Sequence, residues 1–351
     1  AQRYEKDLLS EIPEIDCLLG VSQYGDLAGY LEKALEGKHP VATARKKDFL
    51  ECGRVLTTPS YSAYIKIGDG CDNRCAYCAI PLIRGGYRSR HREAILQEMR
   101  QLAAQGAREQ ILIAQDTTRY GRDTGDSLAA LMTEAAKIPG VDWLRTLYLY
   151  PDELTEETLD VMAAHENICR YLDLPLQHAA PGLLRAMNRR GTMEHVRAML
   201  AAARARGFCL RTTFIVGFPG ETEADFEALM RFTEEIAFDR MGAFAFSPEE
   251  DTPAASMPNQ IPEEIKQARL DRLMRLQAKI SLARNQARVG REEKLLVTGR
   301  RENAYTARSA WEAPDADGEI LLHSDAPLQE GEFVHGRILS ADTYDLTAQK
   351  I

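Results

Sequence analysis

No run of about eighteen apolar residues occurs in the 351-residue chain, so no transmembrane helix is predicted. No basic stretch followed by an apolar one opens it, so no secretory leader is predicted either. Positive charge is not in excess. Against 44 Lys and Arg stand 53 Asp and Glu, a net charge of -9, whereas nucleic-acid binders usually carry a basic domain or stripe. An even cysteine set is missing too: of seven cysteines, three lie close together and four are scattered. That is a poor disulfide framework and a better metal framework, and it suits a reducing cytoplasm. Internal repeats and low-complexity tracts are absent. The chain opens on Ala1 rather than Met and runs straight into a helix-like stretch, which predicts a piece of a longer protein.

What is present is ordinary globular material, 44% hydrophobic and 28% charged, in a chain long enough for two or three domains. Residues 1–45 read as helical and polar, broken at Pro13 and punctuated by glycines from Gly20 to Gly29. Residues 46–60 read as a linker, in a weakly periodic run that begins near Lys38. From Tyr61 short apolar runs alternate with amphipathic stretches. Strands are predicted at Ala63–Ile67, Gln110–Ala114, Leu144–Leu149, Tyr171–Leu174, Leu210–Val216 and Met241–Phe246. Helices are predicted near Arg92–Ala104, Ser127–Ala136, Glu153–Ala164, Glu194–Arg206 and Glu223–Glu235. This alternation predicts an α/β fold over residues 61–260, a partial (β/α)6 barrel with its site at the carboxyl ends of the strands. Residues 261–288 read as one connecting helix. Five short runs between turn residues in 289–351 predict a small antiparallel OB-like β-barrel.

The close-set cysteines are Cys71, Cys75 and Cys78, a C-x3-C-x2-C spacing directly after the first predicted strand. Thiolates are the ligands of iron–sulfur clusters, and one tight loop can bring three of them onto one cube. Three ligands on a 4Fe-4S cube leave one iron open to a substrate. Zinc would want a fourth Cys or His nearby, and the closest histidine, His91, lies well past the loop.

Cysteines in this spacing on the loop after the first strand, with the aromatic Tyr77 before the third, resemble the radical S-adenosylmethionine (SAM) superfamily. Further matches narrow the resemblance: Ile80-Pro81, Arg84-Gly85, Arg88-Ser89-Arg90, Tyr150-Pro151-Asp152, the run Tyr171 to His178, the run Phe246 to Pro253, and the run Glu312 to Gly318. Together they are similar to the radical SAM methylthiotransferase family of RimO type, over nearly the whole chain. The resemblance implies that a methylthio group is placed on the β-carbon of an aspartate in small-subunit ribosomal protein uS12. It also implies a reducing partner such as flavodoxin or ferredoxin, and it makes the small barrel a TRAM domain. The tRNA-modifying cousins of MiaB type are the rival. From Arg288 to Ile351 eight basic residues face twelve acidic ones, a net charge of -4. That sign repels RNA phosphates and suits a basic protein.

The resemblance also assigns site residues. Cys71, Cys75 and Cys78 would hold the cluster, and Tyr77 would meet the SAM adenine, unless it only packs the loop. Gln115 and Asp116, at the end of the second strand, would meet the SAM amino group, and Gln177 would meet SAM or substrate. Thr213 and Gly217 lie in a glycine-containing motif that approaches the adenine; simple turn chemistry also explains Gly217 and Gly220. Arg190 and Arg211 would pair with the SAM carboxylate or the substrate aspartate, although a solvated surface role explains Arg190 as well. His178 reads equally as a substrate contact or a structural histidine. Methylthiotransferases carry three more cysteines and a second cluster in an amino-terminal domain. Cys17, Cys52, Cys169 and Cys209 are too widely spaced to supply them, so residues 1–45 are expected to be a remnant of that domain.

Overall fold

The computed structural model describes every residue except Lys47, Cys52 and Thr58, so the expectation for Cys52 lies outside the described residues. Six parallel strands carry the larger part of the chain: β1 Ser62–Lys66, β2 Glu109–Ile113, β3 Trp143–Thr146, β4 Tyr171–Gln177, β5 Cys209–Val216 and β6 Arg240–Ala245. β1, β2 and β3 form one parallel sheet and β4, β5 and β6 another. A single bridge, Leu144 to Ile168, and the Leu149 N–H to Asp173 oxygen bond (3.0 Å) join the two at β3 and β4. β1 and β6 do not pair, so the barrel is partial.

Between the strands run α1 Arg92–Ala104, α2 Leu128–Ala135, α3 Glu156–Ala164, α4 Met193–Ala205 and α5 Glu223–Ile236. α2, α3, α4 and α5 each start where a Ser or Thr hydroxyl accepts a backbone N–H: Ser127, Thr155, Thr192 and Thr222. Alternation along the strands sorts the core. Ile65, Leu112, Leu144, Leu172, Leu174, Leu210, Phe214 and Val216 pack outward on the helices. The intervening residues face the concave side.

α6, Glu263–Gln286, leads to five strands that close a small barrel: β7 Glu292–Arg301, β8 Ala304–Ser309, β9 Ile320–His323, β10 Phe333–Ala341 and β11 Leu346–Lys350. The expected antiparallel barrel holds with one correction, since β9 and β11 pair in parallel and so close the ring. The amino-terminal region also differs from its all-helical expectation. Besides helices at Glu5–Glu11 and Leu27–Leu35 it contains a parallel strand pair, Leu18–Leu19 with Val41–Ala42.

The small barrel plugs the amino-terminal end of the large one. Ile111, Trp143, Cys169, Tyr171 and Cys209, near the strand starts on the concave face, form one buried cluster with Leu296 and Ala313, joined by Trp311 and Phe333. Charges are buried in the same layer. Glu109 takes Arg308 of the small barrel and Arg145 of β3. Glu312 takes Arg240 of β6 (2.8 Å) and Arg288 (2.5 Å), and its other oxygen accepts from Ser309. Burial pushes both carboxyls up, but the paired guanidiniums outweigh it, and each ends below its usual value of 4.5.

Removing one member of such a group strands the others in low dielectric. Glu109→Ala should cost about 3–5 kcal/mol, measurable as a fall in the denaturant midpoint. A depressed folded pKa means that the unfolded state binds more protons, so the stability is present above pH 4.5 and drains away as pH falls toward the folded value. Glu312→Gln should therefore flatten the acid side of the stability–pH curve; equal acid slopes in variant and parent would contradict the pairing.

Candidate active site

The cysteine loop leaves β1 through a short antiparallel pair, Gly68–Asp69 with Arg88–Ser89, which ties the two ends of the segment together. Gly70 follows at φ +78°, and a Cβ there would lie 2.1 Å from the Gly86 oxygen and 2.7 Å from that of Gly85. Only glycine fits this crossing. The Cys71 N–H donates to the Gly85 oxygen (3.0 Å), and Asp72 Oδ1 accepts the Tyr87 N–H (3.1 Å). The Arg84-Gly85 pair noted in the sequence is thus the wall against which the cysteines are set.

Two strand ends hold the far side of the loop. At the end of β2, the fully buried Asp116 accepts from Asn73 Nδ2 (2.7 Å). Beyond β4, Asn188 sits in the left-handed region (φ 56°), with its amide on the carbonyl oxygens of Asn73 (3.1 Å) and Arg74 (2.8 Å). The Ala76 N–H donates to the Met187 oxygen (2.9 Å). Arg190, at the exposed rim, donates to the Asp72 oxygen and Asn73 Oδ1, both 3.3 Å away. Arg189 turns inward, with Nη1 3.9 Å from Cys75 Sγ and its guanidinium 3.9 Å from the centre of the Tyr150 ring.

Most of the residues singled out in the sequence are in this neighbourhood or beside it. Cys71, Cys75 and Cys78 are half-buried free thiols, and Tyr77 is half-buried against Ala180, Leu183, Met187 and Phe218. Burial pushes the Cys71 thiol up to about 11 and raises that of Cys78 as well. Gln115 and Asp116 end β2, and Gln177 ends β4 in a left-handed conformation (φ 71°) that a glutamine adopts only under constraint. Thr213 lies on the concave side of β5. Gly217 (φ +71°) follows β5; a Cβ there would lie 2.3 Å from Lys266 Cγ of α6, and its N–H is already given to Glu221.

Two residues are engaged elsewhere. Arg211 pairs with Asp173 (2.7 Å) and Asp317 (3.6 Å), deeper in the barrel beside the plug. His178 is fully buried: its Nδ1 accepts the Ala180 N–H (3.0 Å) and its Nε2 meets Glu221 Oε1 (3.1 Å), which places it in the structural role. Asn73, Tyr150, Asn188 and Arg189 received no role from the sequence. The local signals were Tyr150-Pro151-Asp152, noted above without a role for Tyr150, and the run Asn188-Arg189-Arg190-Gly191, whose Asn and Gly both suit left-handed backbone in the tight turn after the helix Pro181–Ala186.

The donor set fits a 4Fe-4S cluster and SAM. Three free thiols share one loop, and Gln115 Oε1, Tyr150 Oη and Asp152 Oδ1 are buried at neighbouring strand ends without a hydrogen-bond partner among the described residues. Orphaned buried polar atoms are costly unless a ligand meets them. Among the described residues no three His, Cys, Asp or Glu side chains are grouped tightly enough to hold one metal ion. A cube of four irons spreads its ligands wider than a lone zinc does.

Residues 65–233 match the model of the Radical SAM superfamily, and residues 289–351 that of the TRAM domain. The chain is 48% identical, over 361 aligned residues, to the ribosomal protein uS12 methylthiotransferase RimO of Desulforamulus reducens, covering 99% of this chain and 81% of that protein. The chain belongs to the RimO methylthiotransferase family. The RimO of Desulforudis audaxviator is 46% identical, over 99% of this chain and 79% of its own length. Among solved structures, the Escherichia coli coproporphyrinogen III oxidase HemN is similar at a TM-score of 0.49 and 19% identity, over 63% of this chain and 52% of that one. As in other radical SAM enzymes, the cofactors are a 4Fe-4S cluster and SAM.

Gly70→Ala tests the loop's geometry. The added methyl group has backbone oxygen on two sides, so the variant should fold yet retain well under the about four irons per chain expected of the parent after reconstitution. Full iron retention would show that the crossing is not needed.

Proposed function

We propose that the chain carries out the radical half of methylthio transfer to the β-carbon of an aspartate in ribosomal protein uS12. The observation that carries this reading is the C-x3-C-x2-C loop at the carboxyl ends of the barrel strands, in a chain 48% identical to a uS12 methylthiotransferase over 99% of its length. When bound, the cluster and SAM supply a carbon radical that can abstract a hydrogen from an unactivated C–H bond, which acid–base chemistry cannot do.

The protein's own residues hold and orient. Cys71, Cys75 and Cys78 hold three irons, and Asp116, through Asn73, fixes the height of their loop above β2. Gln115 offers its free Oε1 to the SAM amino group. Tyr77 would meet the SAM adenine, together with Thr213 on β5 and Gly217 just after it. Arg190 would pair with the SAM carboxylate from the rim, and Gln177 would meet SAM or the substrate. Arg211, held by Asp173 and Asp317, lines the floor below the substrate aspartate. Water is kept out from below by the plug of the small barrel.

The rest of the system is proposed on the same footing. A second cluster, in a preceding domain of which residues 1–45 are the last part, supplies the sulfur. A flavodoxin- or ferredoxin-like protein delivers the electron. No helix of the described residues is long and apolar enough to cross a membrane, and the setting is the cytoplasm with its ribosomes. The tRNA-modifying alternative is not favoured: the relatives named above modify uS12, and the TRAM segment is acidic.

Cys75→Ala should abolish reductive SAM cleavage, scored as loss of deoxyadenosine; cleavage at the parent rate would sink the cluster assignment. Incubation of the full-length enzyme with uS12 and with tRNA, each read by mass spectrometry, should show a methylthio mass gain on a uS12 aspartate alone. A gain on tRNA alone would overturn the substrate.

A further inference from the structure

Arg189 is half-buried and held from three directions. Its guanidinium stacks on the Tyr150 ring at 3.9 Å, Nη2 donates to the Pro175 oxygen inside β4, and Nη1 points at Cys75 Sγ from 3.9 Å. Its backbone is fixed as well. The Arg189 N–H donates to the Leu184 oxygen (2.8 Å), and Asn188 before it is locked in left-handed backbone by its two bonds to the cysteine loop. A long cation restrained in this way does not swing to solvent, and its rotamer entropy is already spent. The aromatic face is a favourable seat for a guanidinium, and Tyr77 lies half-buried beside Cys75.

We propose that Arg189 is a positioning residue that acts through Cys75, raising the reduction potential of the cluster on this loop. The proposal rests on the cluster assignment above. Reduction adds one negative charge to a cube whose three protein ligands are already thiolates. A fixed guanidinium on one of those sulfurs stabilises the reduced state more than the oxidised one. Hydrogen bonds and charge at the ligand sulfurs are among the main protein levers on such potentials. Placing the cation at Cys75, the middle cysteine, lets one side chain serve as clamp and tuner at once: the loop that grips Asn73, Arg74 and Ala76 also delivers the charge.

The test is a redox titration of the reconstituted holoenzyme without SAM, followed by the EPR signal of the reduced cluster, with iron content measured alongside. Arg189→Gln removes the charge and should lower the midpoint, so that at the parent's midpoint the oxidised-to-reduced ratio rises about tenfold, equivalent to 59 mV for a one-electron couple. Arg189→Lys keeps the charge and should recover most of the shift. A full-iron Arg189→Gln protein with an unmoved midpoint would overturn the proposal, as would a lysine variant as displaced as the glutamine one. If Arg189→Gln loses its iron, Tyr150→Leu takes its place. It frees the guanidinium without removing it and should lower the midpoint by a smaller amount; no change would overturn the proposal. Should the parent itself bind no cluster, the failure lies with the proposed function and not with Arg189.

Discussion

Everything else in the molecule hangs on the buried charges between the two barrels. Glu109, Arg145 and Arg308 on one side, and Glu312, Arg240 and Arg288 on the other, lie in a layer that water does not reach. Such groups add little net stability compared with a well-packed apolar layer, but they are intolerant of misplacement. A shift of a few ångströms would leave several charges unpaired at once. The pairs therefore fix the orientation of the small barrel, and its apolar loop around Trp311 and Ala313 then fills the strand starts. The strand starts in turn set the twist and spacing at the other end, where the cysteine loop is held.

The cysteine loop shows the complementary strategy, since its own bonds are mostly backbone and local. The crossing at Gly70, the Cys71 to Gly85 bond and the short strand pair at its base need only residues 68–89. What comes from afar is alignment. Asp116 reaches Asn73 from β2, and Asn188 and Arg189 reach the loop from beyond β4. Each strand end contributes one or two polar groups, so the loop registers the positions of both half-sheets across the seam between β3 and β4.

The locally written parts of this design were legible in the sequence. The cysteine spacing and the alternation of strands and helices each depend on neighbours a few positions away, and the six strands and five helices stand within a few residues of where the pattern put them. β4 runs beyond its expected end at Leu174 to Gln177, because Pro175 falls at a register irregularity, where a missing N–H costs nothing. The parallel pairing of β9 with β11 left no local mark, because each strand reads the same whichever way its neighbour runs. The partners of Arg211 and of Glu109 were equally invisible: Asp173 lies 38 positions away and Arg308 lies 199. A charged residue on the concave face of a strand looks like a ligand contact until its counter-ion is known. Arg189 was hidden for the opposite reason, standing beside an arginine that looked equally available.

The plugged end has a further bearing on how a guest is received. A barrel open at both ends would let a polypeptide thread through, sampling residues one after another as they passed. With the 309–317 loop of the small barrel packed into the strand starts, the larger barrel is a cup. No guest passes through it from end to end; a protein segment reaches the strand ends from the rim or from the side where β1 and β6 are unpaired, and leaves the way it came, which favours a protruding loop or a free tip. Selectivity then begins with the shape of the guest's surface, before any side chain is read.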